Sequence, residues 1–421
     1  MDTRFGYIPI AVTLESESET ESLIERYAPA LEQLGGARWP ADALDEPVPL
    51  LLVILTGGTE QEALRLWANR EASAPGEPLS LLAHPGNNSL PAAMEVLAWL
   101  QQGGASGRIL YLAGPDDREG LGRLEIAVRD LEVRTALQGA RIGLVGEPSG
   151  WLVASTPDPA VLHGTWGPEV VSIALDELYG ALQAVRVETA ASLLRPLVSG
   201  AAEVREPSPT ELEDVVRVYV ALRGLVQQHR LDAISLRCFD LVSELATTGC
   251  FAVAQLNDDG TIAGCEGDLV STTGMLWAYK LLEEVPWMAN PVQLNPAAGT
   301  LWLAHCTVPR CLVSRYWLRS HFESGLGVGL AGELPRGPVT LLRIGGKAMN
   351  QLWLAEGDVV RSGSAENLCR TQAEVQLTRG EVGDLLHAPL GNHLVCVRGH
   401  HMDRLRAWWK AMIAPRHRCD C

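Results

Sequence analysis

The sequence predicts an α/β protein in three stretches: two with open, mainly parallel sheets, then an all-β C-terminal region forming a barrel or a sandwich. Three observations carry this. Apolar runs ended by glycine alternate with helix-periodic segments in the first part of the chain. A second alternation opens at "ARIGLVGEPSGWLVAS". From about Trp302, short apolar runs follow one another, separated by Gly, Pro and acidic turns with few helices between.

In chain order, "PLLLVILTGG" (Pro49–Gly58) reads as a buried strand, and "TEQEALRLWANREAS" as a helix that Thr59 or Thr56 could cap. "PLSLLAHP" is the next strand. The helix "PAAMEVLAWLQQGG" then starts with Pro91 in its first turn and stops at Gly103. "GRILYLAGP" and "LGRLEIAVRDLEVRTALQG" repeat the strand–helix unit. In the second stretch "PTELEDVVRVYVALRGLVQQHRL" is helical and "DAISLRCFDLV" strand-like. The C-terminal strands are "TLWLAHCTVP", "PVTLLRIGG", "QLWLAEGDVV", "AEVQLT" and "NHLVCVRG", closed by the helix "HMDRLRAWWKAMI".

The net charge of −17 disfavours a nucleic-acid backbone or an anionic membrane as partner. No stretch approaches the roughly 18 uninterrupted apolar residues of a membrane span. The N-terminus lacks the apolar core and cleavage site of a signal peptide, so the expectation is a soluble, cytoplasmic protein. Nine thinly spread cysteines, mostly in apolar runs, predict buried reduced thiols, with Cys419 and Cys421 exposed at the end.

Chemistry concentrates in "NDDGTIAGCEGDLVSTTGM". Asp268 stands where a helix N-cap is expected and suits that role first. Glu266 falls at the carboxyl end of a short strand, where open α/β sheets place ligands. His305 sits in an apolar run, which by itself favours a hydrogen-bonded core residue. His321 and Glu323 open the Gly-rich "RSHFESGLGVGL", and Asn392 and His393 follow a glycine in "PLGNHLVCV". A glutamate and histidines from separate segments could assemble an oxygen and nitrogen site for Mn²⁺, Fe²⁺ or Zn²⁺. "LTGGTE" and "LVGEPSG" match no full nucleotide-binding fingerprint.

Taken in order, "LTGGTE", "HPGNNSLPAA", "RIGLVGEPSGWLVAS", "CEGDLVSTTGM", "PWMANPVQLN", "LAHCTVP", "HFESGLGVGL", "CRTQ" and "PLGNHLVCV" resemble the L-fucose isomerase and L-arabinose isomerase superfamily, specifically its shorter fucose-isomerase-related proteins. The resemblance implies two Rossmann-like α/β domains, 1–139 and 140–295, and a β-barrel-like domain, 296–421. It also implies trimers or hexamers, a divalent metal with Mn²⁺ the expected ion, and aldose–ketose isomerisation of a sugar or sugar derivative through an ene-diol. Carried over by position, Glu266 matches the metal-binding, acid/base glutamate, and His393 matches the histidine ligand. His305 resembles a further site histidine; His321, Glu323 and Asn392 are expected near substrate.

The departure lies at "WMANP", where Asn290 replaces an expected acid. An amide oxygen can ligate a metal, but it brings neither charge nor a general base. Asp268 or Glu323 would then supply the second acid, with Asp268 grouped with Glu266 as catalytic. A different metal-assisted activity on a polyol-like ligand, a non-catalytic sugar-binding subunit and a thiol enzyme on Cys265 or Cys306 are the alternatives.

Overall fold

The computed structural model describes residues 3–12 and 17–413, so Cys419 and Cys421 lie outside the described residues. The chain folds as two compact units, one of residues 1–136 with 407–421 and one of residues 137–406.

In the first unit, β1 (Phe5–Ile10), β2 (Gly36–Arg38), β3 (Leu50–Ile54), β4 (Leu79–Ala83) and β5 (Gly107–Tyr111) form a parallel sheet in the order β2-β1-β3-β4-β5. β3 is buried at every position because helices cover both faces. Leu52, Ile54 and Leu81 pack with Ala63, Leu66, Ala93 and Val96 on one side. Tyr7, Leu51 and Val53 pack with Leu31, Leu124 and Val128 on the other. Capping differs from expectation. Thr59 holds the N-cap position of the helix Glu60–Ser73, yet its side chain makes no cap bond. Its hydroxyl instead donates to the Thr56 carbonyl at 2.8 Å, and the Thr56 hydroxyl accepts from Val12 N at 2.9 Å.

The second unit begins with another parallel sheet. β6 (Arg141–Val145), β7 (Glu169–Ile173), β8 (Ala233–Leu236) and β9 (Ile262–Cys265) run in the order β7-β6-β8-β9. The strand expected over "DAISLRCFDLV" stops at Leu236, and Cys238–Leu245 is a helix burying Cys238 and Leu241. The i,i+3 bond from Arg237 Nε to Asp240 at 3.0 Å supports that first turn.

The C-terminal strands settle the barrel-or-sandwich question. β10 (Trp287–Asn295), β11 (Thr300–His305), β14 (Gly337–Gly345), β15 (Gln351–Gly363), β16 (Thr371–Arg379) and β17 (Leu394–Arg398) make a closed antiparallel barrel, with β12 (Arg315–Arg319) and β13 (Gly329–Glu333) as a separate hairpin. β10 closes the ring by pairing with β11 on one edge and β17 on the other. At the β15 bulge a Cβ on Gly357 would lie 2.2 Å from Gln376 O, so only glycine fits. The helix Leu269–Leu282 leads from the parallel sheet onto the barrel, where Gly274 faces Leu342, Ile344 and Val395. The protein is therefore mixed α/β, with two parallel sheets and a six-stranded C-terminal barrel. No helix among the described residues is long and apolar enough to cross a membrane.

Candidate functional site

A reverse in the chain just past β9 aims the central carboxylate. Glu266 has φ 65°, a left-handed backbone that a non-glycine residue adopts at a cost. Gly267 follows at φ 73°, and a Cβ there would meet Pro148 Cα at 2.7 Å. Two bonds hold the reverse: Ser149 N donates to Glu266 O at 2.9 Å, and Gly267 N to Leu236 O at 3.1 Å. The Glu266 side chain is thereby turned inward, 12% exposed, with Oε2 accepting from Trp151 Nε1 at 2.6 Å.

The barrel supplies the histidines. His305 ends β11 and His393 precedes β17, and β10 lies between those two strands. Their rings meet edge to face with centroids 5.4 Å apart. Ligand atoms of Glu266, His305 and His393 all lie within 4.8 Å of one another, and all three residues are buried. His393 Nε2 makes no hydrogen bond and faces Glu266 Oε1 at 3.5 Å. A buried nitrogen without a hydrogen-bond partner, beside a carboxylate and a second imidazole, fits a divalent ion with oxygen and nitrogen ligands.

The other side of each histidine is tied down. His305 Nδ1 bonds the Thr307 hydroxyl at 2.8 Å. His393 Nδ1 bonds Asp268 Oδ2 at 2.9 Å, which directs Nε2 at Glu266. Asp268 is the N-cap of the helix Leu269–Leu282, accepting from Ser271 N at 2.7 Å and from the Ser271 hydroxyl at 2.7 Å. Its charge is met by Arg343 on β14, with Nη1 at 3.3 Å from Oδ2.

These contacts split the titrations. Burial pushes His305 down, the charge of His393 pushes it further, and it reaches about 4, a neutral ring at pH 7. Burial also works against a charged His393, but the hydrogen bond to Asp268, the close approach of Glu266 and the charges of both overcome it and raise it to about 9. Burial alone would raise both carboxyls. The close, positively charged His393, with lesser help from His305 and Trp151, holds Glu266 below its ordinary value. Arg343 and His393 hold Asp268 well below the carboxylate range. The metal-free cluster thus carries two carboxylates, one imidazolium and one neutral imidazole.

Of the residues singled out by sequence, Glu266, His305 and His393 converge, and Asp268 stands directly behind His393. Asn290 is half-buried on β10 opposite Ala304, while its neighbour Ala289 is opposite Leu394, so it sits between the two histidine-bearing strand ends. His321 is buried with its ring edge-on to Phe239 at 5.7 Å and Nδ1 3.1 Å from Ser324 Oγ. Glu323 and Asn392 are exposed. Cys265 is buried with its sulfur 3.1 Å from that of Cys238, and Cys306 is 2% exposed, so neither presents a nucleophile to solvent.

Sequence reasoning missed Trp151 and Arg343. Trp151 stands in the quoted "EPSGW" segment and, at 52% exposure, is open to solvent beside the buried cluster, its ring edge-on to Phe239 at 4.9 Å. An arginine inside the apolar run "PVTLLRIGG" was the available signal for the other, because a buried charge needs a partner.

No family model matches the chain. It is similar to proteins named sulfoquinovose isomerase. The one from Clostridium sp. (strain MSTE9) is 27% identical over 277 residues, covering 65% of this chain and 59% of the relative. The one from Alkalicoccus urumqiensis is 24% identical over 295 residues, 66% of this chain and 62% of the relative. That from Priestia megaterium is 22% identical over 357 residues, 81% of this chain and 76% of the relative. The matches to the first two span less than two thirds of those relatives' lengths. The chain is thus similar, at low identity, to proteins named for the isomerisation of a sugar.

Proposed function

We propose that this chain is an aldose–ketose isomerase of a sugar or sugar derivative, working with a divalent cation, Mn²⁺ in the first instance. The observation that carries the reading is the buried Glu266, His305 and His393 cluster, with ligand atoms within 4.8 Å and a His393 Nε2 that makes no hydrogen bond among the described residues. Those three side chains would hold the ion, and the Asn290 amide oxygen is the proposed further donor from β10. When bound, the ion supplies the positive charge that favours the oxyanion of an ene-diolate.

The chain's own groups account for the rest. Glu266, ionised at neutral pH, is the proposed base that moves a proton between C1 and C2. Its Trp151 bond keeps one oxygen oriented while the other faces His393. Asp268 is read as the carboxylate that orients His393, because its oxygens already accept from Ser271, His393 and Arg343. Exposed Asn392 and Glu323 and buried His321 remain the proposed substrate contacts. An oligomer, trimeric or hexameric, is proposed from the superfamily resemblance alone.

The relatives' printed name makes sulfoquinovose the first sugar to try, followed by a panel of neutral aldoses. The expected outcome is interconversion with Mn²⁺ present, and loss of turnover by about 10²–10⁴-fold in Glu266→Gln. Absence of isomerisation across the panel by the metal-loaded chain would overturn the proposal. Asn290, uncharged where an acid was expected, favours one second reading, a sugar-binding protein. Calorimetric sugar binding without metal and without turnover would select it.

A further inference from the structure

Arg343 is buried at 1% exposure on β14, and its guanidinium joins three separate segments. Nη1 reaches Asp268 Oδ2 at 3.3 Å and the Ser271 hydroxyl. Nη2 donates to Ser155 Oγ at 2.6 Å, and Nε to Leu390 O at 3.3 Å. Leu390 begins the short loop that delivers His393. The next residue, Gly391, lies flat against the guanidinium: a Cβ there would fall 2.2 Å from Nη2 and 2.7 Å from Cζ. The loop and the group behind the His393 ring are therefore both held by one side chain.

We infer that Arg343 is a positioning residue for His393, acting on its ring through Asp268 and on its backbone through Leu390 and Gly391. This rests on the proposed metal site only for its consequence, which is the ion affinity. A bare positive charge would satisfy Asp268. It would not span Asp268, Ser155 and Leu390 together, because that takes the planar fork of arginine. Nothing in the proposed reaction requires Arg343 to touch substrate. Its effect reaches the site through the 2.9 Å bond from Asp268 to His393 Nδ1 and the path of the loop.

Two variants of the full chain test this. Arg343→Lys keeps the charge and loses the fork, and Gly391→Ala keeps Arg343 but pushes the loop away from it. Each is expected to weaken Mn²⁺ binding about 10–100-fold by calorimetry, the range for removing a partner that orients a metal-ligating histidine. A readout free of metal accompanies it: nitrogen NMR of ¹⁵N-histidine protein, in which the hydrogen-bonded Nδ1–H of His393 is expected to shift or broaden in both variants. Wild-type Mn²⁺ affinity with an unshifted His393 signal in a folded Arg343→Lys protein overturns the inference, even where thermal stability falls. A wild-type chain that takes up no Mn²⁺ instead overturns the metal reading. The His393 signal then decides the role of Arg343 alone.

Discussion

Asp268 and Arg343 are a buried ion pair whose value depends on both members staying. Replacing Asp268 by Asn leaves Arg343 1% exposed without its counter-charge. Breaking a buried pair in this way typically costs on the order of 3–5 kcal/mol. Asp268→Asn is expected to lower stability by that order in denaturant unfolding and to weaken Mn²⁺ binding about 10–100-fold. Unchanged values for both would remove Asp268 from the support of His393. The histidine shifts give a pH prediction with a definite sign. His393 is raised from 6.5 to about 9, so in the metal-free protein it holds a proton at neutral pH. Ligation needs the neutral ring, so Mn²⁺ binding should release about one proton per ion well below pH 9, with affinity climbing as pH rises toward about 9. His305, lowered to about 4, is already neutral and adds none. Calorimetry in buffers of different ionisation enthalpy counts the protons, and a count of zero at pH 7 would contradict the assignment. The same raised value means that the pairing of His393 with its carboxylates stabilises the metal-free fold fully below pH 6.5 and ceases to do so as pH passes 9.

Among the elements, the helix Pro209–His229 carries a complete capping box: the Ser208 hydroxyl accepts from Glu211 N at 3.3 Å, and Glu211 Oε2 accepts from Ser208 N at 2.9 Å. Ser208→Ala is expected to cost about 1 kcal/mol in denaturant unfolding without altering Mn²⁺ affinity. A change in affinity would tie this helix to the site. That helix was legible in the sequence because Ser208, Pro209 and Glu211 announce its start and its apolar period is long. The alternation of strands and helices was legible for the same reason. Short segments were not. The apolar run around Cys238 fits a strand or a helix until Arg237 and Asp240 are seen to bond across a turn. Thr59 has the right residue type for a cap, but its hydroxyl found a carbonyl acceptor instead. The ring-closing strand β10 was also hidden, since "WMANPVQLN" contains a proline that ordinarily argues against a central strand. Here Pro291 sits just before the β10 irregularity.

For the molecule as a whole, all three proposed ligating side chains of the buried cluster belong to residues 137–406. Added Mn²⁺ should therefore stabilise that unit, by about 2.7 kcal/mol at a free concentration 100 times the dissociation constant. Hydrogen exchange is expected to slow around Glu266–Ser271, His305–Thr307 and Leu390–Leu394, with β1 to β5 unaffected. Slowing confined to β1 to β5 would place the ion elsewhere. The sequence could nominate Glu266 and His393 by resemblance, yet their meeting depends on a strand reversal and on barrel closure, neither of which is written in local pattern. Arg343, far along the chain from Asp268, escaped for the same reason. That closure also sets an order of events in folding. Since β10 lies directly between β11, which ends in His305, and β17, which follows His393, and its Met288↔Val395 pairing spans a long stretch of chain, ring closure is a slow, high-contact-order step. In refolding experiments helical signal should return first, and competence to capture Mn²⁺ should lag behind it as a separate kinetic phase, so that the ion reports the moment the barrel shuts.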